Sequence, residues 1–315
     1  RLAKEADIIL ENYRPGVLKK FGLDYESVIQ ENPTVVFLSI TGFGQTGPKS
    51  KLPATDSVMQ AFSGLMSVNK ESNGMPMRVG MLAIDVSTGL YAFQAVAPAI
   101  YRRAMQGKGQ HITTSLMESV GAFQAAKMIE FVLEGPEVQS PGVPVGTFQG
   151  KDGFININGR RDSHFEALCK FIGKPEWAAD ARFATVEARF EHEAELMPML
   201  REIVANYTVA DLNNALNEAD VLNGPVNDYG NYFEDPHVKE VDAISWIEQS
   251  GLGRIPSPSL PGHPPLRPGE ARGHTPHLGE HSREVLRELG YGDGEIDGLR
   301  DRGAVTVLHR AEAAD

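Results

Sequence analysis

The sequence has little cysteine and no long hydrophobic run, and each shortage excludes a class of protein. Cys169 is the only cysteine among 315 residues. One thiol cannot form a disulfide within the chain, so a disulfide-framed scaffold is excluded and a reducing compartment such as the cytoplasm is expected. No apolar run approaches the roughly 20 residues that a membrane-spanning helix needs, so no membrane partner is expected.

Positive charge is also scarce. The chain carries 30 Lys and Arg against 42 Asp and Glu, a formal net charge of −12. Because nucleic acid attracts proteins with an excess of positive charge, no nucleic-acid partner is expected. Basic pairs at Lys19–Lys20 and Arg102–Arg103 can still hold the phosphates of a smaller anionic ligand.

The first third of the chain alternates strand and helix patterns. Residues 8–10 and 35–40 are short runs of apolar, β-branched residues, which predicts buried strands. Residues 17–21 and 25–30 are predicted as short helices between them. This β-α-β order predicts an α/β fold with a doubly wound, Rossmann-like large domain.

Composition divides the rest of the chain. The large domain is predicted over residues 1–140. Its further elements are a strand at 111–115 and helices at 57–66, 87–105 and 116–133. The helix at 87–105 contains Pro98 and is ended by Gly107. A smaller α+β domain is predicted over residues 147–250, with a strand at 154–157 and helices at 164–172, 194–206 and 209–219. Residues 251–276 are rich in Gly and Pro, which predicts an irregular strap before a last helix at 282–289.

Two patterns suggest cofactor or metal sites, and local chemistry disfavours both. Residues 42–47 read Gly-x-Gly-x-x-Gly after a strand, but a dinucleotide site needs a helix that begins within the motif. Pro48 and Pro53 disfavour such a helix, so a glycine loop lining another ligand is favoured. His277 and His281 have helical spacing, but Gly279 places them in a turn without a third ligand, so no metal is expected.

Three polar side chains occupy positions suited to ligands or catalysis. Asn12 and Arg14 directly follow the first strand, and doubly wound sheets bind ligands at the carboxyl ends of strands. Glu118 lies in the first turn of a predicted helix, where free backbone N–H groups and the helix dipole favour an ionised carboxylate. Each position also has a purely structural interpretation, as a loop or cap residue.

Six stretches together identify a family. They are residues 11–16, 39–48, 56–64, 85–89, 107–110 and 276–281. In this order, over almost the whole chain, they resemble the class III CoA-transferases of the CaiB/BaiF type, the family of formyl-CoA transferase, carnitine CoA-transferase and the α-methylacyl-CoA racemases. The motifs are highly specific when taken jointly.

The resemblance implies that Glu118 is the catalytic carboxylate. The family's catalytic residue, normally Asp, follows the Gln of a Gly-x-Gly-Gln turn by eight residues, and counting from Gln110 reaches Glu118. A Glu carboxylate can attack a thioester as an Asp does. Its extra methylene shifts the attacking oxygen, and a misplacement near 1 Å costs about a hundredfold in rate. Either a nucleophile with adjusted geometry or a changed activity is therefore expected.

The resemblance also implies how coenzyme A and acyl-CoA are handled, as substrates rather than as a permanently bound cofactor. The expected contacts and site-shaping residues are Asn12, Arg14, Lys20, Gly42, Gly44, Asp56 and Asp85. Oxyanion-stabilising N–H groups are expected from residues 42–47 or from residues 142–146, and both remain open. The family further implies an interlocked homodimer in which residues 251–315 return to the large domain. It also begins earlier, with a strand and glycine turn, so an amino-terminal segment is expected to be missing.

Two alternatives remain. Racemases of this fold place a histidine immediately before the Asp56 motif, where this chain has Thr55, whose hydroxyl cannot exchange a proton at neutral pH. A racemase or thioesterase is therefore disfavoured but open. A non-catalytic acyl-CoA-binding protein is also open, because Glu118 departs from the family's Asp.

Overall fold

The computed structural model describes residues 1–71, 73–136, 141–267 and 269–308. Two compact units are distinguished, Arg1–Val138 and Gln139–Asp315. The finer predicted division into residues 1–140, 147–250 and 251–315 stays a prediction.

The first unit is built on three parallel strands. They are β1 (Ile8–Glu11), β2 (Val36–Thr41) and β3 (Gln110–Ser115), paired in the order β1-β2-β3. The register sets Leu10 beside Leu38 and Thr41 beside Ser115, so the strands end at a common edge. All three predicted strands are confirmed, and so is the α/β class.

Helices surround this sheet in the first unit. They are α1 (Leu2–Glu5), α2 (Tyr25–Glu31), α3 (Asp56–Phe62), α4 (Leu65–Val68), α5 (Ala83–Gln106), α6 (Leu116–Phe123) and α7 (Ala125–Glu134), with a 3-10 helix at Leu18–Phe21. Val96 of α5 packs with Leu38 in one apolar cluster, and Val28 of α2 packs with Phe37 in another. Because Phe37 and Leu38 are successive residues of a strand, these clusters lie on opposite faces of the sheet.

Two helices predicted as continuous are each divided, so those predictions are wrong in extent. Within residues 57–66, Gly64 separates α3 from α4 with a left-handed φ of 86°. Within residues 116–133, Gln124 separates α6 from α7 with φ −106° and ψ 20°. Its side-chain amide donates to the carbonyl oxygen of Ser63 at 2.8 Å, which ties the break to the α3–α4 turn.

The second unit combines antiparallel strands with helices. Its strands are β4 (Val145–Gln149), β5 (Phe154–Asn158) and β6 (Leu222–Pro225) in one sheet, and β7 (Ile244–Gln249) and β8 (Gly253–Pro258) in a hairpin. Its helices are α8 (Asp162–Phe171), α9 (Val186–Glu191), α10 (Glu193–Val204), α11 (Val209–Glu218), α12 (Tyr229–Glu234), α13 (Pro236–Glu240), α14 (Ser282–Glu288) and α15 (Asp293–Asp301), with 3-10 turns at Pro175–Ala179 and Ala271–Gly273. Cys169 is buried in its core, as its helix pattern indicated, and burial raises the pKa of the thiol to about 12.

The region after β7 corrects two expectations. Residues 251–276 are not irregular throughout, because β8 pairs with β7 along its length. Pro256 lies opposite Trp246 in this pairing. A two-stranded ribbon has free edges, where a proline without an N–H is tolerated. The helix predicted as the last one, at residues 282–289, is followed by α15.

The described helices include none that combines the length and the apolar composition needed to cross a membrane. The cytoplasmic location stays a prediction.

A buried arginine organises the start of the second unit. Arg189 is fully buried, and its guanidinium donates to the carbonyl oxygens of Val143, Phe183 and Arg160 at 2.8 to 3.0 Å. It also donates to Oδ1 of Asp162 at 2.9 Å. These bonds fix the segment that opens β4, which contains one of the two glycine stretches predicted to supply oxyanion donors.

We expect Arg189→Met to lower the free energy of unfolding by about 3–5 kcal/mol, because it leaves buried carbonyl groups and one carboxylate without their donor. Chemical unfolding followed by circular dichroism measures the loss. Arg182→Met is the matched control, since Arg182 makes partly exposed ion pairs with Asp180 and Glu195. This substitution should lower the free energy of unfolding by less than about 1 kcal/mol. Equal losses in the two variants would contradict the prediction.

Candidate active site

The carboxyl ends of the three parallel strands bring most of the predicted site residues to one edge of the first unit. Asn12 and Arg14 follow β1, Gly42 follows β2, and Glu118 follows β3. In open α/β sheets this edge is where ligands bind. The structure therefore brings together side chains that are more than 100 positions apart in the chain.

A cavity of about 650 Å³ opens at this edge. We call it the largest cavity, because the two other cavities lined by these site residues measure about 550 and 340 Å³. Its walls include four of the predicted residues, Asn12, Arg14, Gly42 and Asp85. Thr55 lines it as well. The volume lies within the range of sites that bind small molecules and cofactors.

Asp56 is buried next to this site, and its carboxylate has a structural role. It is 4% exposed, and its Oδ2 accepts hydrogen bonds from the backbone N–H groups of Ile84 at 2.7 Å and Asp85 at 3.2 Å. Its Oδ1 accepts from the amide of Gln60 at 2.6 Å. Because α5 has no capping side chain of its own, Asp56 supplies the cap and thereby fixes the place of Asp85.

Asp85 differs electrostatically from an ordinary surface aspartate. Burial, and secondarily the negative charge of Asp56, raise the pKa of its carboxyl. Although the side chain as a whole is exposed, its carboxyl is partly shielded from water. Asp85 therefore takes up a proton more readily than a free aspartate does.

Glu118 lines a second cavity, of about 340 Å³, together with Gly44, Gln45 and Thr113. Its side chain is exposed. Ser115, at the end of β3, donates its hydroxyl hydrogen to Oε2 of Glu118 at 2.7 Å and accepts from the Glu118 backbone N–H at 3.1 Å. The carboxylate is thus held at the start of α6 and remains accessible to a reactant.

Close packing and backbone geometry explain the glycines of the loop after β2. A Cβ atom on Gly42 would lie 2.2 Å from the Cβ of Ala54, so a larger residue would displace that segment. Gly44 has a φ of 92°, which favours glycine. The next helix begins only at Asp56, which leaves the dinucleotide fingerprint without the helix start it requires.

Lys20 lines neither the largest cavity nor the cavity of Glu118. It lies exposed on the 3-10 helix Leu18–Phe21, whereas its neighbour Lys19 lines a third cavity of about 550 Å³. That cavity shares Arg14 with the largest one and Gln45 with the cavity of Glu118.

His111 is a site-lining residue that the sequence interpretation missed. It lines the third cavity, its ring stacks on Tyr25 at 4.5 Å between centroids, and its Nε2 lies 3.1 Å from the hydroxyl oxygen of Ser39. Burial lowers its pKa. Nothing in the strand pattern of β3 distinguishes this histidine from a surface one.

Ser115 was missed too, although the sequence contains a signal for it. The stretch 115–118 reads Ser-x-x-Glu before an apolar run, the pattern of a helix capping box. That pattern predicts a hydrogen bond between the serine side chain and the backbone of the glutamate.

The histidines near the end of the chain are engaged in polar contacts of their own. Glu280 lies 2.9 Å from Nε2 of His274 and 3.7 Å from Nε2 of His281, and it accepts from the backbone N–H of His277. Among the residues that the structure describes, no group of three or more His, Cys, Asp or Glu is arranged to hold a metal ion.

Residues 1–282 match the protein family described as CoA-transferase family III. The chain belongs to this family. The predicted membership and the predicted enzyme class are confirmed.

Named relatives of this transferase cover most of its length. It is 33% identical to a succinate–glutarate CoA-transferase of Agrobacterium fabrum, over 92% of this chain and 74% of the relative. It is 32% identical to the human succinyl-CoA:glutarate CoA-transferase, over 96% and 71%. Among solved structures, a CAIB/BAIF family protein from Brucella suis is 32% identical and superimposes with a TM-score of 0.78, over 91% of this chain and 76% of that one.

The contacts of Asp56 lead to a prediction on the transferase's largest cavity. In Asp56→Asn the new amide group faces the amide of Gln60, whose own oxygen already accepts from Val79. We expect the free energy of unfolding to fall by about 1–3 kcal/mol, because one buried donor loses its acceptor. The pKa of Asp85 should also fall towards its ordinary value, because a neighbouring negative charge is removed.

Chemical unfolding and an NMR titration of the Asp85 carboxyl measure the two effects. Asp228→Asn is the control, because Asp228 caps the exposed start of α12 and asparagine caps equally well. An unchanged Asp85 titration in Asp56→Asn would show that the charge of Asp56 does not reach the cavity.

Proposed function

We propose that this transferase moves coenzyme A from an acyl-CoA thioester to a carboxylic acid through a covalent intermediate on Glu118. One observation carries the proposal: an exposed carboxylate lines a cavity at the carboxyl edge of the parallel sheet, eight residues after Gln110. This is the position of the catalytic carboxylate in the family that the chain resembles. Covalent catalysis retains the thioester's energy in the enzyme instead of losing it to water.

The reaction proceeds by carboxylate exchange. An oxygen of Glu118 attacks the thioester carbon and the C–S bond breaks. The products of this step are a mixed glutamyl–acyl anhydride and free CoA thiolate. The thiolate then attacks the glutamyl carbon, and the anhydride C–O bond breaks to release the first acid as its carboxylate. The resulting glutamyl-CoA thioester is attacked by the incoming carboxylate, and the same steps in reverse form the new acyl-CoA.

The largest cavity is the place we propose for the coenzyme. Asn12 offers an amide and Arg14 a cation there. The glycine loop after β2 is a further proposed contact, because Gly42 lines this cavity and Gly44 lines the cavity of Glu118. We keep Lys20 as a proposed contact for a phosphate of coenzyme A, because it is exposed and follows Arg14 by six residues. Asp56 and Asp85 shape the cavity from the start of α5.

For the acids, we propose dicarboxylates. The Agrobacterium and human relatives are named for succinate and glutarate, and both are about one third identical to this chain. A direct comparison of glutarate with acetate and butyrate as acceptors, with succinyl-CoA as donor, tests this choice of substrate.

Thr55 favours transfer over racemisation. It lines the largest cavity where a racemase of this fold carries its histidine, and its hydroxyl lies 3.3 Å from that of Ser57. A hydroxyl does not act as a proton-exchanging base near neutral pH.

We expect Glu118→Gln to lower the rate of CoA transfer by at least about a thousandfold, because an amide cannot act as the nucleophile. In the unmodified chain, incubation with succinyl-CoA and then hydroxylamine should convert Glu118 to a hydroxamate, which mass spectrometry of the tryptic peptide detects. The Glu118→Gln chain should bind CoA but give no hydroxamate.

Glu134→Gln is the matched control, since Glu134 is an exposed residue at the end of α7 and should leave both the rate and the hydroxamate unchanged. CoA binding without any hydroxamate or turnover in the unmodified chain would leave the binding-protein alternative. Exchange of the acyl α-proton with deuterium in place of transfer would leave the racemase.

We also propose a homodimer. Large apolar side chains are exposed along α5 and α7, among them Phe93 at 71%, Val132 at 79% and Leu133 at 76%. Exposed apolar patches of this kind mark interaction surfaces in soluble proteins, and the family implies a second copy of the chain as the partner.

We expect the double variant Val132→Lys with Leu133→Lys to shift the protein from dimer to monomer, because two charges would be buried in an apolar interface. Light scattering after size-exclusion chromatography measures the mass. Leu252→Lys changes an equally exposed leucine at the turn between β7 and β8 and should leave the dimer intact. A monomeric mass for the unmodified chain would refute the proposal.

A further inference from the structure

Glu118 is fixed by one buried hydroxyl, and the two oxygens of its carboxylate are in different environments. Ser115 is 0% exposed, and its single hydroxyl hydrogen is given to Oε2 of Glu118 at 2.7 Å. The backbone N–H of Glu118 donates in turn to the Ser115 oxygen, at 3.1 Å. Within the part of the chain that the structure describes, Oε1 accepts no hydrogen bond, so it is the oxygen available to attack.

We infer that Ser115 is the oxyanion donor for the covalent steps at Glu118, an inference that rests on the proposed transfer reaction. When Oε1 has attacked the acyl carbon, Oε2 becomes the carbonyl oxygen of the glutamyl group. Thiolate attack on that carbon places a full negative charge on Oε2. Attack by the acceptor carboxylate on the glutamyl-CoA thioester places the same charge there again. The Ser115 hydroxyl already points at this atom.

This arrangement favours the transition states over the intermediates that precede them. In the anhydride and the thioester, Oε2 is a neutral carbonyl oxygen and the hydrogen bond is weak. In each tetrahedral intermediate the same oxygen is an anion, and a hydrogen bond to an anion is shorter and stronger. A donor held in place beforehand needs no reorganisation when the charge develops.

Among the described residues, the same hydrogen-bonded ring occurs once more, at a helix start outside the candidate site. Thr208 at the start of α11 donates to Oδ2 of Asp211 at 2.7 Å and accepts from the Asp211 N–H at 3.1 Å, in an exposed position. The ring alone is therefore not a catalytic feature. Ser115 differs because it is fully buried and because its hydrogen-bond partner, the carboxylate of Glu118, lines a cavity at the carboxyl edge of the parallel sheet. Thr208 provides the matched control.

The test isolates the step in which the acceptor attacks the glutamyl thioester. The full chain is loaded with succinyl-CoA, mixed rapidly with glutarate, and the appearance of glutaryl-CoA is followed in a single turnover. We expect Ser115→Gly to slow this step by about 100-fold or more, the usual effect of removing one oxyanion donor. The Kd for CoA should stay unchanged. Ser115→Thr, which keeps the hydroxyl, should restore the rate to within a few-fold.

Controls separate this role from helix capping. Thr208→Gly should lower the melting temperature about as much as Ser115→Gly, and by little, because glycine is a tolerated N-cap residue. It should leave the single-turnover rate unchanged. If Ser115→Gly does not fold, Ser115→Cys replaces it, since the thiol is close in size but a weak donor, and the same slowing is expected.

Two results would overturn the inference in distinguishable ways. A hydroxamate on Glu118 in the unmodified chain, together with a normal single-turnover rate in Ser115→Gly, or in Ser115→Cys where that variant replaces it, would remove the role of Ser115 and leave the transfer reaction standing. No hydroxamate in the unmodified chain would remove the proposed reaction and this inference with it.

Discussion

The site depends on the parallel pairing of three short strands. Because β1, β2 and β3 run in one direction and are in register, their carboxyl ends, and the loops that follow them, meet at one edge. Thr41 is paired with Ser115, so the glycine loop after β2 lies beside the start of α6. The backbone N–H of Met117 donates to the carbonyl oxygen of Gly42 at 3.1 Å and joins these two segments directly. Without this pairing, Asn12, Gly42 and Glu118 would be unrelated positions.

Two carboxylates lie at helix starts near this edge, and they have different roles. The four free N–H groups of a helix start favour a negative charge. At α5 that charge comes from Asp56, which is buried and fully hydrogen-bonded, so it stabilises the fold. At α6 it comes from Glu118, whose carboxylate is exposed in a cavity and accepts a hydrogen bond from Ser115. The same local physics supports a structural group in one place and an accessible group in the other.

Much of this arrangement could be predicted from the sequence. Strand patterns with β-branched residues located β1, β2 and β3, because such runs are short and end at clear turn residues. The family motifs and the strand ends indicated four residues that line the largest cavity, Asn12, Arg14, Gly42 and Asp85, whereas Lys20 lies outside it; the catalytic role of Glu118 stays a prediction. Besides Ser115, three features escaped. Helix breaks at Gly64 and Gln124 depend on tertiary contacts such as the bond from Gln124 to Ser63. The pairing of β8 was hidden by its prolines. His111 became a site residue only through its neighbours Tyr25 and Ser39.

On the proposed role of Glu118 as the nucleophile, the presence of Glu where the family resemblance implies Asp is best understood together with Ser115. A longer side chain has one more rotatable bond, so an unrestrained Glu carboxylate loses more conformational entropy when it reaches a single reactive position. The hydroxyl of Ser115 holds one oxygen at 2.7 Å and removes that freedom before a substrate arrives. The N–H of Glu118 fixes the hydroxyl in turn, so the restraint comes from the backbone of α6 itself. A capping interaction thus offsets the cost of the extra methylene, and the position of the carboxylate is set by the end of β3.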